Sequence, residues 1–352
     1  MTLLTSTRSG LLTLTVRRIA RLTPNALLIE FAPPLEPVMY RAGQHITLVV
    51  RLHDRTLYRS YSLTSNSRLD DCLSIVVQRT AGGAVSNHLN DTVKVGDPLT
   101  ATAPAGQFWV TADPTLVRHA ILIGGGSGIT PLYAIARELL FFEPRSRVSL
   151  VYSNTTPEEV IYGQALADLE RSFPERLGVT HVLEQPSGFP ALAGRLTREM
   201  LQGLISNLTD GEPSAASYHL CGPVGLLEVA HAALEDSGVS HEQRFTESYV
   251  HDPVASPIHA NPKTLNMTLW EGGLAHWIEV RAGQTILEAA EAAGVFVPYA
   301  CRMGECGECR MERRSGVVRS GNNGGLVPSD EGTHVLVCVA HPESEGVALV
   351  FP

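Results

Sequence analysis

The chain has 352 residues, with 27 basic and 36 acidic side chains and a formal charge of −9. That length suits two or three domains, and that charge argues against nucleic acid or an anionic membrane surface as a partner. An apolar fraction of 44% with 31 glycines is that of a folded globular protein and excludes disordered and fibrous classes.

Residues 11 to 110 read as short alternating strands between turns, for example Leu12 to Val16, His45 to Val50 and Leu73 to Val77. Such runs predict an antiparallel barrel. Within it, Arg59-Ser60-Tyr61-Ser62-Leu63 puts Arg59, Tyr61 and Leu63 on one strand face and Ser60 and Ser62 on the other. An Arg can grip a phosphate bidentately and a Tyr ring can lie against a flat heterocycle. Downstream, Gly82-Gly83-Ala84-Val85-Ser86 offers N–H groups and a hydroxyl to a second phosphate. Taken without context, both segments are equally those of an ordinary barrel strand and turn.

From about residue 115 the rhythm changes. Apolar runs such as Ala120 to Ile123 and Val148 to Tyr152 alternate with helical stretches such as Leu132 to Phe142, which predicts parallel strands covered by crossover helices. Gly124-Gly125-Gly126-Ser127-Gly128-Ile129-Thr130-Pro131 follows a buried strand and opens a helix. Glycines there allow close backbone approach, and a helix N-terminus offers unpaired N–H groups to a pyrophosphate. Cys221-Gly222-Pro223 follows the short strand Ser217 to Leu220, at the end where open α/β sheets bind ligands. A small buried filler is the alternative reading of Cys221.

Residues 251 to 263 carry three prolines and no periodicity, as a semi-rigid linker does. Beyond it, Thr285 to Ala293 is helical and Gly294 ends it. Cys301, Cys306, Cys309 and Cys338 are spaced C-x4-C-x2-C with a distant fourth, which is the plant-type arrangement for a 2Fe-2S cluster. Structural zinc sites use two short pairs instead. Gly304 and Gly307 let loop N–H groups turn toward the sulfurs. Glu305 and Glu308 lie in the same loop, in a segment from Thr264 onward that has no lysine. Only Cys72 and Cys221 fall outside this set, no run reaches the roughly 18 apolar residues of a membrane span, and the first residues lack a secretory apolar stretch. A cytoplasmic protein with no membrane partner is expected.

In order, these motifs resemble the ferredoxin–NADP reductase superfamily fused to a C-terminal plant-type ferredoxin, over nearly the whole chain. The resemblance implies a multi-domain protein: an antiparallel β-barrel flavin domain (1–112), an α/β parallel-sheet nucleotide domain (113–250), the linker (251–263) and an α+β β-grasp ferredoxin domain (264–352). It implies that Arg59 contacts flavin phosphate, with Ser60 beside it in the flavin strand, that Tyr61 packs on the isoalloxazine and that Ser62 sits near its N5. Gly82, Gly83, Ala84, Val85 and Ser86 match the flavin diphosphate turn. Gly124, Gly125, Gly126, Ser127, Gly128 and Thr130 match the nicotinamide nucleotide loop, joined by Ser153 and Asn154. Cys221, Gly222 and Pro223 match the turn beside the nicotinamide. Glu247-Ser248-Tyr249 resembles the Glu-x-aromatic ending of the nucleotide domain, with Glu242 a nearby acidic alternative. Ser62, Cys221 and Glu247 are expected at the hydride-transfer site, and the four clustered cysteines as metal ligands.

FMN-dependent relatives carry Pro-x-Asn-x-Phe where this chain reads Pro104-Ala105-Gly106-Gln107-Phe108. The Gly106 form is similar to FAD-binding members such as the reductases of phenylacetyl-CoA and ketosteroid oxygenases, so FAD is expected over FMN. Thr155 stands where NADPH-using relatives place an Arg, which favours NADH, while Arg145, Arg147 and Arg171 keep NADPH open. The implied function is an NAD(P)H-dependent reductase passing electrons through FAD and a 2Fe-2S cluster to a terminal oxygenase, Rieske non-haem iron or related monooxygenase. A non-enzymatic flavin and iron–sulfur sensor or scaffold is the alternative.

Overall fold

The computed structural model describes residues 11–34, 38–52, 55–248, 263–299, 304, 307–320, 326, 330 and 332–351. The chain forms two compact units, residues 1–48 with 61–249 and residues 49–60 with 250–352.

The first sheet comprises β1 (Leu11–Thr23), β2 (Ala26–Phe31), β3 (His45–Leu52), β4 (Arg55–Ser62), β5 (Ser74–Gln78) and β6 (Pro98–Thr102), in the order β4-β3-β6-β1-β2-β5. Helix α1 (Ala84–Thr92) lies between β5 and β6. In β1, Leu14 and Val16 are buried while Thr13 and Thr15 are exposed, the period-two pattern that turns one face inward. An antiparallel bridge between Leu63 and Ile75 joins the two ends of this sheet and makes it a barrel. Helix α1 was not foreseen, since Gly82 to Ser86 reads as a turn.

The second sheet is wholly parallel where its pairing is defined. It is built from β7 (His119–Gly125), α2 (Ile129–Phe142), β8 (Arg147–Asn154), α3 (Gly163–Ser172), β9 (Leu177–Leu183), β10 (Leu192–Ala193), α4 (Arg198–Leu208), β11 (Ala216–Gly222), α5 (Val224–Asp236) and β12 (Arg244–Ser248). All seven residues of β7 are buried, as expected of a strand covered on both faces. The order β10-β9-β8-β7-β11-β12 starts at β7, runs outward to β10, then returns to the other side of β7. The reversal falls between β7 and β11, the place where open α/β sheets part to admit a ligand. One apolar cluster runs from Leu28, Val76 and Phe108 of the barrel to Leu122, Leu132, Tyr152 and Cys221.

In the second unit, β13 (Leu265–Glu271) and β14 (Leu274–Val280) form a hairpin followed by α6 (Ile286–Ala292). Strands β15 (Arg310–Ser315), β16 (Val318–Ser320), β17 (His334–Leu336), β18 (Ala340–Pro342) and β19 (Val347–Val350) follow. The five-stranded order is β14-β13-β19-β15-β17, with β19 parallel to β13. Thr285 and Glu288 form a reciprocal capping box at the start of α6, worth about 1 kcal/mol, and Gly294 adopts φ +72 just past its end. Ile286, Leu287 and Ala290 bury against Met267, Ile278 and Leu349, the sheet-on-helix packing of a β-grasp.

Candidate functional site

The register of the parallel sheet sets the site. Cys221 on β11 is paired with Gly124 on β7 and with Glu247 on β12. Neighbouring strands lie about 4.8 Å apart, so the three residues form a short row across the C-terminal edge. Glu247 is 5% exposed, and its Oε2 accepts a 2.7 Å hydrogen bond from the Ser62 hydroxyl at the end of β4. Ser62, Glu247 and Cys221 therefore lie together, although 185 residues separate Ser62 from Glu247. A charge-assisted O–H to carboxylate bond of this kind is roughly twice as strong as a neutral one. Glu242 lies exposed in a helical turn before β12, so Glu247 is the acid that faces Ser62. Cys221 is fully buried within the core cluster.

One residue of this cluster was missed from the sequence. His45 is 3% exposed, its Nδ1 lies 3.7 Å from Glu247 Oε1, and that nitrogen has no hydrogen-bond partner. His45 stands in an alternating strand and carries no local signal of a role. Gly106 makes room for it: φ is +107 there, and a Cβ would lie 2.8 Å from His45 Nδ1. The Ser248 hydroxyl is likewise buried without a partner. Buried polar atoms in a folded protein are normally satisfied. The unmet His45 Nδ1 beside Glu247 leaves hydrogen-bonding capacity that a polar heterocycle such as a flavin ring fits.

The glycine-rich turn opens α2 as expected. A Cβ on Gly128 would lie 2.0 Å from the Cys221 carbonyl oxygen, and one on Gly124 would lie 2.8 Å from Leu132 Cδ1. Gly126 adopts φ +52, its carbonyl accepts from the Tyr152 hydroxyl at 2.9 Å, and the Ser127 N–H donates to Gln78 Oε1 at 3.0 Å. Thr130 Oγ1 donates back to the Ser127 carbonyl. Gly222 packs against Gly125, where a Cβ would stand 3.0 Å from its amide nitrogen, and Pro223 is the N-cap of α5. Ser153 and Asn154 end β8 at the same edge. This cradle, glycine at four of its first five positions and set at a helix N-terminus, fits a dinucleotide phosphate.

The cations kept open for NADPH lie elsewhere. From Arg147 to Asn154, β8 spans about 23 Å, so Arg145 and Arg147 stand at the opposite edge of the sheet. Arg171 closes the last turn of α3, which starts near the end of β8 and runs back, and it pairs with Asp168.

On the barrel, Ala84, Val85 and Ser86 form the first turn of α1 with Gly83 as N-cap, and Gly82 has φ +71. Val85 is 1% exposed and packs inward, while Ser86 Oγ accepts from the Thr80 amide. The segment thus offers a phosphate a helix N-terminus instead of a plain turn. Arg59, Ser60 and Tyr61 are half-buried in β4. Ser60, expected in the flavin strand beside Arg59, donates its hydroxyl to the Tyr299 carbonyl at 3.0 Å within the second unit.

Cys309 and Cys338 are 1% and 6% exposed in the core of the second unit, and the Val337 amide donates to the Cys309 carbonyl. Gly304 and Gly307 adopt φ +75 and +78, left-handed conformations that favour glycine. Two buried thiols brought together from separate elements fit half the ligand set of a 2Fe-2S cluster. Cys301, Cys306 and Tyr249 lie outside the described residues. No helix among the described residues is long and apolar enough to cross a membrane.

Comparison with known proteins agrees with this arrangement. Residues 13–109 match the family model of an oxidoreductase FAD-binding domain, 122–232 that of an oxidoreductase NAD-binding domain, and 272–343 that of a 2Fe-2S iron-sulfur cluster binding domain. The chain is 30% identical over 348 residues to one of the subunits of the 1,2-phenylacetyl-CoA epoxidase of Escherichia coli K12, covering 96% of this chain and 97% of that one. It is 34% identical over 330 residues to the ferredoxin reductase component of 3-ketosteroid-9-alpha-monooxygenase of Mycobacterium tuberculosis, covering 90% and 87%. Among solved structures, phthalate dioxygenase reductase shares the fold with a TM-score of 0.63 at 24% identity, covering 97% and 98%.

Proposed function

This chain belongs to the family of oxygenase reductase components that join FAD-binding, NAD-binding and 2Fe-2S domains. From that premise we propose that it takes hydride from NADH and delivers electrons singly to a terminal oxygenase in the cytoplasm, a Rieske non-haem iron enzyme or a related monooxygenase. The observation that carries this reading is the meeting of Ser62, Glu247 and Cys221 at the edge where the Gly124 to Thr130 cradle opens. Bound FAD supplies the exchange between a two-electron donor and a one-electron carrier, and the cluster carries one electron at a time.

The residues of this chain hold and orient. Arg59 grips the flavin phosphate, Tyr61 packs on its ring, and the α1 N-terminus from Gly82 to Ser86 takes further phosphate charge. The Gly124 to Thr130 turn binds the dinucleotide phosphate, with Ser153 and Asn154 beside it, while Cys221, Gly222 and Pro223 shape the slot for the nicotinamide. The Ser62 hydroxyl donates to Glu247 and fixes that carboxylate. Cys301, Cys306, Cys309 and Cys338 ligate the cluster. With Arg145, Arg147 and Arg171 placed away from the nucleotide edge, NADH is the donor in this reading.

Anaerobic addition of NADH to purified holoprotein should bleach the flavin and iron–sulfur absorbance bands, and NADPH should do so far more slowly. A protein whose bands persist under excess NADH would refute the reading.

A further inference from the structure

The nucleotide loop and the flavin strand must be held at a fixed separation for hydride to pass between their ligands, and neither Ser62 nor the glycine turn does this alone. A part-buried ionic network links the helix that follows the glycine turn to the barrel segment that follows Ser62. Helix α2 starts at the glycine turn, and about 13 Å further along it presents two adjacent charged residues, Arg137 and Glu138. Both engage one segment of the barrel, residues 66–70, which follows Ser62 by only four positions.

Arg137 makes a two-pronged contact with Asp70, Nη1 to Oδ2 and Nη2 to Oδ1, each 2.7 Å. The side chains are 17% and 25% exposed. Glu138 is 4% exposed, and its Oε2 accepts from Asn66 Nδ2 at 2.8 Å. Its Oε1 accepts from Arg68 Nη1 at 2.8 Å and from the Ala112 amide at 3.2 Å. The segment is internally braced as well. Asp70 Oδ2 accepts from the Asn66 amide and Asn66 Oδ1 accepts from the Arg68 amide. It is also tied to the barrel, where the Tyr40 hydroxyl donates to Ser65 Oγ and Ser67 Oγ donates to the Tyr40 carbonyl. Two ion pairs are thus joined through Asn66, and the planar, directional Arg137–Asp70 fork fixes position as well as lowering energy.

We infer that Asp70, Arg137 and Glu138 are positioning residues for hydride transfer, a clamp that sets the spacing between the flavin strand and the nucleotide turn. The inference rests on the reductase reading above. A shift of about 1 Å between reacting partners costs on the order of a hundredfold in rate. Loosening the clamp therefore lowers the rate of flavin reduction while leaving the binding surfaces for either ligand intact.

The test uses the full-length holoprotein with Asp70→Asn, Arg137→Gln and the double variant, and Arg137→Lys as the mildest change, which keeps charge but loses the fork. Flavin reduction at saturating NADH should fall roughly ten- to a hundredfold in each single variant. The double variant should be no slower than the worse single, since both remove one contact. Flavin content and the dissociation constant for NAD+ should stay within about twofold, and hydrogen exchange of residues 64–72 should quicken in the single variants. Rates equal to wild type, or losses that multiply in the double variant, would overturn the clamp, as would equal losses of nucleotide affinity and rate. If the glutamine and asparagine variants fold poorly, Arg137→Lys alone decides: an unchanged reduction rate refutes the proposal. Wild-type protein that NADH does not reduce would instead refute the reductase reading, a separate outcome.

Discussion

Gly128→Ala isolates the closest approach in the nucleotide cradle. The backbone there is ordinary helix, φ −60 and ψ −13, so alanine meets no conformational barrier. In an open site the change would stabilise by about 0.4–1 kcal/mol through the unfolded chain. At position 128 the new Cβ would lie 2.0 Å from the Cys221 carbonyl oxygen, 2.4 Å from its carbon and 2.8 Å from the Gly222 nitrogen. Ordinary contact needs about 3.5 Å, so β11 and the turn must part by more than 1 Å, and every atom in the way is backbone. Overpacking of this kind costs about 1–3 kcal/mol, occasionally more, so a net loss of stability is expected. The functional loss should be larger, since the displaced atoms belong to Cys221 and Gly222, which the proposed function sets beside the nicotinamide, where about 1 Å is worth a hundredfold. Stopped-flow flavin reduction at saturating NADH measures it directly, and chemical denaturation gives the stability. Gly203→Ala is the control, mid-helix in α4 with nothing within 4 Å, and should stabilise. If Gly128→Ala reduced its flavin at the wild-type rate, the close approach of the two turns would have no part in hydride transfer.

Acid should weaken the first unit before its carboxylates titrate. Burial pushes His219 down to about 3 and His119 to about 4, so both stay neutral in the folded state while the unfolded chain protonates near 6.5. Their contribution is complete above about pH 6.5 and is lost as pH falls, by about 1.4 kcal/mol per unit for each, or about 4 kcal/mol for both at pH 5. Equal urea midpoints at pH 7 and pH 5 would contradict this. Cys338→Ser should abolish the iron–sulfur absorbance and iron content, yet leave NADH reduction of the flavin near the wild-type rate. A variant that lost both would show the halves to be interdependent. Arg59→Ala should weaken flavin retention by about 2–5 kcal/mol, as truncation of a buried charged partner does, and holoprotein that keeps its flavin through long dialysis would remove Arg59 from that site.

Much of this molecule was legible because its signals are local. The glycine turn after Ile123, the helix that Gly294 ends and the Cys301-Cys306-Cys309 triplet each sit within a dozen residues, where chain geometry alone limits the options. The meeting of Ser62 with Glu247 was legible only through resemblance, because no pattern in a strand tells which distant strand will face it. Helix α1 escaped because a nine-residue helix entered through two glycines looks like a turn. His45, Gln78 and the charges on Asp70, Arg137 and Glu138 escaped for another reason. Each is an ordinary residue in its own element, and its role arises from a partner 49 to 202 residues away.

The cramped pair His45 and Gly106 alters what a motif can be used to tell. Gly106 stands at the position from which the sequence favours FAD over FMN, and it invites use as a marker of flavin choice. Here its left-handed φ and the imidazole where a Cβ would project are reason enough for glycine, with no flavin involved. The position then reports on its neighbour. Swapping flavin specificity by grafting an Asn at 106 alone would drive the new side chain into His45, and a design campaign would score the resulting misfolding as a failure of cofactor recognition. Residues 45 and 106 share one space, to be exchanged together or left alone.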